Sequence, residues 1–178
     1  MQRIWVSYAP VCRPTAEETQ ETGSRTRVNA ADNKWMVHKF GGTSVADTTC
    51  FQRVAELIRA QSGPRQAVVV SAMGGMTNDL LALLTNAIES ADTIEPGIEA
   101  IRARYAGTVE DLLTAQASRD QIMQAFESEA ADIADILNSV ALVGSAAKRS
   151  EDIVAGCGEI WSTRLLAAFL DQESGSDE

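Results

Sequence analysis

Two short apolar runs, Trp35 to Phe40 and Ala67 to Val70, flank a stretch in which Phe51, Val54, Ala55, Leu57 and Ile58 recur at helical spacing. Strand, helix and strand in that order predict a βαβ unit, with the right-handed crossover that nearly all such units share. The β-branched run of Val68, Val69 and Val70 is typical of a parallel strand covered on both faces. Asp47 is placed to cap the first helix and Gly63-Pro64 to end it. A punctuated loop follows each strand: Gly41-Gly42-Thr43-Ser44 after the first, and Ser71-Ala72-Met73-Gly74-Gly75-Met76-Thr77-Asn78 after the second. The unit therefore delivers two small, hydroxyl-bearing loops to the carboxyl edge of one sheet, where open α/β folds bind their ligands.

The remainder reads as helical, over about 79–90, 95–106, 108–117, 118–143 and 150–171. Ser118 with Gln121 has the capping-box pattern, and Ile122, Phe126, Ile133, Leu137 and Val140 form one apolar stripe that Gly144 closes. Ser150 is the expected cap of the last helix. Residues 1–34 lack a sustained period and read as an arm outside the core, and 173–178 as a polar tail. Two strands are too few to cover so many helices, so the chain reads as part of a larger α/β domain.

The formal net charge is −10, from 15 Lys and Arg against 25 Asp and Glu. That balance speaks against nucleic acid, which demands a basic face. Only 5% of residues are aromatic, which leaves little for base stacking. Cys12, Cys50 and Cys157 lie far apart without metal-ligand spacing, so neither a disulfide framework nor a zinc site is expected. No uninterrupted apolar run reaches the roughly 20 residues of a membrane span, and a cytoplasmic setting is expected. A plastid is the alternative, although Glu17, Glu18 and Glu21 are unlike an acid-poor transit peptide.

Chemistry concentrates at the first strand end. Lys39 offers a mobile positive charge, Gly41 and Gly42 let backbone N–H groups approach an anion, and Thr43 and Ser44 add hydroxyl donors. The helix beyond points its positive end at the same place, as a phosphate site requires. A solvent-exposed lysine before a plain turn is the competing reading. Neither a Walker-type phosphate loop nor a dinucleotide-binding glycine fingerprint occurs. Ser71 and Thr77 are candidate ligand hydroxyls, with turn and cap roles as the alternative. His38 points to the sheet face opposite Lys39 and reads as packing. Gly156-Cys157-Gly158 interrupts an apolar helical pattern, which suggests a bend or a close backbone approach. It sets Glu159 beside Ile160 and Trp161 as a partly buried carboxylate in need of a cation, or else as a surface glutamate. Cys157 reads as a small buried apolar group.

Three segments together resemble the aspartokinases of the amino-acid kinase superfamily: Lys39 to Val45, Val68 to Asn78, and Gly158 to Ser162. Their order and spacing, with a long helical insertion over about 90–150, look most like the amino-terminal part of the bifunctional aspartokinase/homoserine dehydrogenases. The resemblance covers about 35–172. It implies a three-layer αβα fold with a parallel-rich sheet, here incomplete, and transfer of a phosphoryl group from ATP to the β-carboxylate of L-aspartate. That reaction gives 4-phospho-L-aspartate, the entry to lysine, threonine and methionine synthesis. Under the resemblance Lys39 meets the transferring phosphoryl group, and Gly41, Gly42, Thr43 and Ser44 line the phosphate loop. Ser71, Thr77 and Glu159 hold aspartate, Glu159 by its ammonium. Mg2+ arrives with ATP as part of the co-substrate, no tightly bound cofactor is expected, and the full-length form is a homo-oligomer.

Members of the family continue into a second glycine-rich segment, a substrate arginine and a base pocket. The isolated chain is accordingly expected to turn over little. The competing functions are another amino-acid kinase and a non-catalytic module that binds a partner or a small anion.

Overall fold

The structure is a computed structural model that describes residues 35–61 and 65–174. The arm, the Gly63-Pro64 helix stop and the last four tail residues lie outside them. Strand β1 (Met36–Phe40) leads through a single 3-10 turn at Gly42–Val45 into helix α1 (Thr48–Arg59) and on to strand β2 (Gln66–Val70). Helices α2 (Met76–Glu89), α3 (Ile94–Leu112), α4 (Gln116–Val143) and α5 (Lys148–Ser174) complete the order.

The strands pair in parallel, Met36 opposite Gln66 through Phe40 opposite Val70, so the βαβ unit is present. Alternation sends His38, Phe40, Val68 and Val70 to one face, where Phe40 and Val68 pack on the core and Val70 is buried. The opposite face carries Val37 and Val69, which are 65% and 52% exposed. Among the described residues the sheet is thus covered on one side, and the double coverage expected from the valine run is not seen. The sheet and the helices on its one covered face make two layers of an α/β arrangement, and the third layer of the expected αβα form is not seen among the described residues.

Helix α2 lies between α4 and α5, and α3 packs against α2 and α4. The predicted stripe on α4 is buried from Ile122 through Val140. Phe126 joins Tyr105 and Trp161 in an aromatic cluster, with ring centroids 5.0 Å from Tyr105 and 4.6 Å from Trp161. Each such ring contributes about 1.5–3 kcal/mol through burial. This helical core explains how the chain stays folded on so small a sheet.

Several expected boundaries shift for identifiable reasons. Helices 95–106 and 108–117 are one helix, α3. Gly107 costs it roughly 1 kcal/mol, and burial of Ile101, Tyr105, Val109 and Leu112 along one face outweighs that. The capping box at Ser118 does not form, because α4 begins at Gln116 after Ala115. Likewise Ser150 sits inside α5, which begins at Lys148. Asp47 does cap α1, its carboxylate accepting from the Cys50 amide at 2.9 Å. Gly144 closes α4 with φ +73°.

Helix α5 runs unbroken through Gly156 and Gly158 and on through Ser174, past the start of the expected tail. Over Lys148–Gln172 it is long and apolar enough to span a membrane, contrary to the expectation drawn from uninterrupted apolar runs. Val154, Trp161, Leu165, Leu166, Phe169 and Leu170 are nevertheless buried in the domain, so this is its core helix.

Candidate functional site

The ends of β1 and β2 form a rim. The Ser71 amide donates to the Phe40 carbonyl at 3.0 Å, which carries the ladder one step past the strands. Lys39 lies opposite Val69, and alternation puts Ser71 on the same sheet face as both. Lys39 is exposed and makes no ion pair among the described residues. His38 takes the opposite face as expected, stacking on Phe40 with centroids 6.2 Å apart, while its Nε2 is buried without a hydrogen-bond partner.

The two loops touch. A Cβ on Gly42 would lie 3.1 Å from the Ala72 carbonyl oxygen and 4.0 Å from Ser71 Oγ. One on Gly74 would lie 2.8 Å from Ala46 Cβ. Glycine at both positions therefore lets the loops close on each other, and residues 41–44 and 71–75 form one continuous surface. Gly42 and Thr43 head the 3-10 turn, where the first backbone N–H groups have no partner within the turn. The positive end of α1 is otherwise engaged. Asp47 neutralises it, and hydrogen bonds from the Cys50 N–H and then its thiol hold the Asp47 carboxyl below the usual carboxylate range. Asp47 thus already occupies the helix end that was expected to face an anion at this rim.

Helix α2 starts three residues earlier than its periodicity indicates, because Gly75 adopts φ +81° and turns the loop into it. Thr77 consequently sits in the first turn of α2, half-buried, and the cap position belongs to Gly75. The start of this helix faces α5. A Cβ on Gly158 would meet Ala72 Cβ at 2.9 Å and Met76 Cγ at 3.2 Å. Close approach, rather than a bend, is the reason for that glycine. Ser162 is buried and donates to the Gly158 carbonyl at 3.0 Å, a packing role within α5.

Glu159 follows Gly158 directly, so its backbone stands beside the Ser71 to Thr77 segment. Its side chain is exposed, which corrects the expectation of a partly buried carboxylate, and it has no cationic partner among the described residues. It lines a groove of about 1120 Å³ between α4 and α5, together with Glu129, Cys157 and Arg164. Arg164 is taken there: it grips Glu129 through both guanidinium nitrogens, at 2.8 and 3.0 Å, and that bond raises its pKa. Cys157 is half-buried, where a buried apolar group was expected, and its thiol is pushed up to about 11 mainly by desolvation.

Sequence reasoning missed Arg104. From α3 it donates through Nη1 to Asp79 at 2.7 Å and through Nη2 to the Gly74 carbonyl, tying the loop after β2 to a helix 30 residues away. Nothing in the local pattern of α3 marks this arginine. Among the described residues no group of three or more His, Cys, Asp or Glu side chains converges as a metal site.

Residues 34–177 match the profile of the Amino acid kinase family. The chain belongs to that family. Curated relatives include the bifunctional aspartokinase/homoserine dehydrogenase of carrot chloroplasts, 30% identical over 143 residues, which are 80% of this chain and 15% of that protein. Bifunctional aspartokinase/homoserine dehydrogenase 2 of Escherichia coli K12 is 34% identical over 138 residues, 78% of this chain and 16% of the relative. Among solved structures, aspartokinase III of E. coli in complex with lysine and aspartate superposes with a TM-score of 0.66 at 30% identity, covering 78% of this chain and 29% of that one. The same enzyme with aspartate and ADP gives 0.64 at 29% identity, over 78% and 29% of the two chains. The chain thus spans less than a third of the length of each, and the fold it shares with them is the amino acid kinase fold.

Proposed function

We propose that this chain is the rim-forming part of an aspartate kinase domain, which transfers the γ-phosphoryl group of ATP to the β-carboxylate of L-aspartate. The observation that carries the reading is the close approach of Gly42 to Ser71 and Ala72, and of Gly158 to Ala72 and Met76, beyond the carboxyl ends of a parallel strand pair. The aspartate and ADP complexes of aspartokinase III support the choice of ligands. Relatives from carrot chloroplasts and from E. coli fit either a plastid or a cytoplasmic setting.

In this reading the amides of Gly42 and Thr43, with the Thr43 and Ser44 hydroxyls, hold the nucleotide phosphates, and Lys39 neutralises charge on the group in transfer. Ser71 and Thr77 bond the aspartate, and Glu159, which has no cationic partner among the described residues, receives the α-ammonium. The substrate carboxylate, with a pKa of about 3.9, is ionised at neutral pH. No general base is needed, and alignment with charge neutralisation carries the transfer. Mg2+ comes with the nucleotide and keeps most of its ligands from phosphate and water.

Titrating aspartate against the melting temperature of the 178-residue chain tests the reading. At one hundred times Kd a ligand that binds only the folded state stabilises by about 2.7 kcal/mol, a rise of roughly 5–10 °C for a domain of this size. A rise with aspartate and none with glutamate supports aspartate kinase. Equal shifts favour another amino-acid kinase, and no shift with either refutes the assignment. Phosphoryl transfer by the 178 residues alone is expected to be slow or absent, measured as hydroxamate formation.

A further inference from the structure

Two consecutive residues of α3 reach the two segments assigned to aspartate. Arg104 bonds the Gly74 carbonyl and Asp79, at the turn that carries Ser71 and Thr77 into α2. Tyr105 is buried and donates its hydroxyl to the Trp161 carbonyl at 3.2 Å, two residues beyond Glu159. Neighbours on a helix point about 100° apart, so α3 touches the α2 turn with one side chain and α5 with the next. Burial raises the Tyr105 pKa far above neutrality, and the phenol remains a donor throughout the working pH range.

The contacts are of a kind that fixes position. The Arg104 guanidinium also lies 3.6 Å from where a Cβ on Gly75 would be, so it covers the one left-handed residue of the loop. With Nη1 on a carboxylate and Nη2 on a carbonyl, the planar fork sets Gly74 relative to the first turn of α2. On the other side, Tyr105 stacks with Phe126, which in turn packs on Trp161, and this leaves the hydroxyl little room to move.

We infer that Arg104 and Tyr105 are positioning residues, Arg104 for the turn that carries Ser71 and Thr77 into α2 and Tyr105 for the stretch of α5 that follows Glu159, so that the helical insertion holds both segments of the amino-acid site in place. The inference rests on the proposed function for the identity of the ligand. It assigns the insertion a share in substrate fit without any contact to substrate.

The test uses the 178-residue chain with R104A, R104K and Y105F, measuring amide hydrogen exchange together with calorimetric Kd values for aspartate and for ADP. Partners that hold metal ligands in place change affinity by about tenfold or more when removed, and an effect of that order is taken for residues that hold an amino-acid site. Expected are faster exchange over 75–80 in R104A and over 161–165 in Y105F, an aspartate Kd raised about tenfold in each, and an ADP Kd within twofold of wild type. R104K should fall between wild type and R104A, since an ammonium on a flexible stem lacks the planar fork that holds the two acceptors in fixed directions. Unchanged exchange in R104A and Y105F overturns the inference, as does an ADP Kd that rises in parallel with that of aspartate, the mark of general loosening. If the wild-type chain binds no aspartate, the proposed function fails, and exchange alone decides whether the two side chains hold these segments.

Discussion

A Cβ on Gly158 would lie 2.9 Å from the Cβ of Ala72, closer than two such carbons approach in folded proteins, so α5 and the loop after β2 meet at a distance that glycine alone permits. Substituting G158A forces that contact, and the Met76 side chain at 3.2 Å, to give way. Overpacking of this kind costs about 1–3 kcal/mol, against a gain of about 1 kcal/mol in helix propensity. A net loss is expected, with a melting temperature lower by roughly 2–6 °C.

Gly156, one half-turn earlier, is the internal control. A Cβ there would meet nothing within 4 Å. G156A should therefore raise the melting temperature by a few degrees, since the propensity gain of about 1 kcal/mol is unopposed. Equal effects at the two positions, measured by thermal unfolding, would contradict the close approach assigned to Gly158.

Asp47 provides a pH signature. Its carboxylate is held below the ordinary range by the Cys50 N–H, so folding favours the ionised form. That contribution is present above the unfolded pKa near 3.9 and disappears as the pH falls through the lower folded value. The gap in melting temperature between wild type and D47A should be constant from pH 7 to 5 and narrow below pH 4. A gap unchanged down to pH 2.5 would sink the cap assignment.

Cys157 makes a chemical prediction. With its thiol pushed up to about 11, only a minute thiolate fraction exists at pH 8. Alkylation by iodoacetamide, followed at the Cys157 peptide, should accelerate about tenfold per pH unit through pH 10 without a plateau. In denaturant the same peptide should plateau near pH 9, as a free thiol does. A plateau near pH 9 in the folded chain would mean that the groove is wetter than its lining implies.

The βαβ unit, the Asp47 cap, the α4 stripe and the Gly144 stop were legible in the sequence because each is a local pattern with a single physical cause. Gly75 was not, since its left-handed geometry moves the start of α2 back to Met76, ahead of the apolar period. Helix α3 hid its continuity behind Gly107, whose cost is repaid only by partners on other helices. Ser118 and Ser150 look like caps because serine favours that role, but the packing of α4 and α5 extends both helices past them. The same limit applies to the site. Glycine and hydroxyl residues announced the rim, whereas Arg104 acts across 25 and 30 residues and leaves no trace in its neighbourhood.

The most direct check of the rim is Lys39. Because it is exposed and makes no ion pair among the described residues, K39A should leave the melting temperature of the unliganded chain within about 2 °C of wild type. A charged donor to phosphate contributes about 1.5–3 kcal/mol, so the Kd for ADP or ATP should rise roughly 10- to 150-fold. Aspartate affinity should change far less, since its assigned partners are Ser71, Thr77 and Glu159. Arginine at position 39 keeps the charge but presents a wider, planar head, and K39R should recover part of the nucleotide affinity. If K39A binds nucleotide as tightly as wild type, the lysine is an ordinary strand-end residue and the phosphate site must be sought elsewhere in the fold.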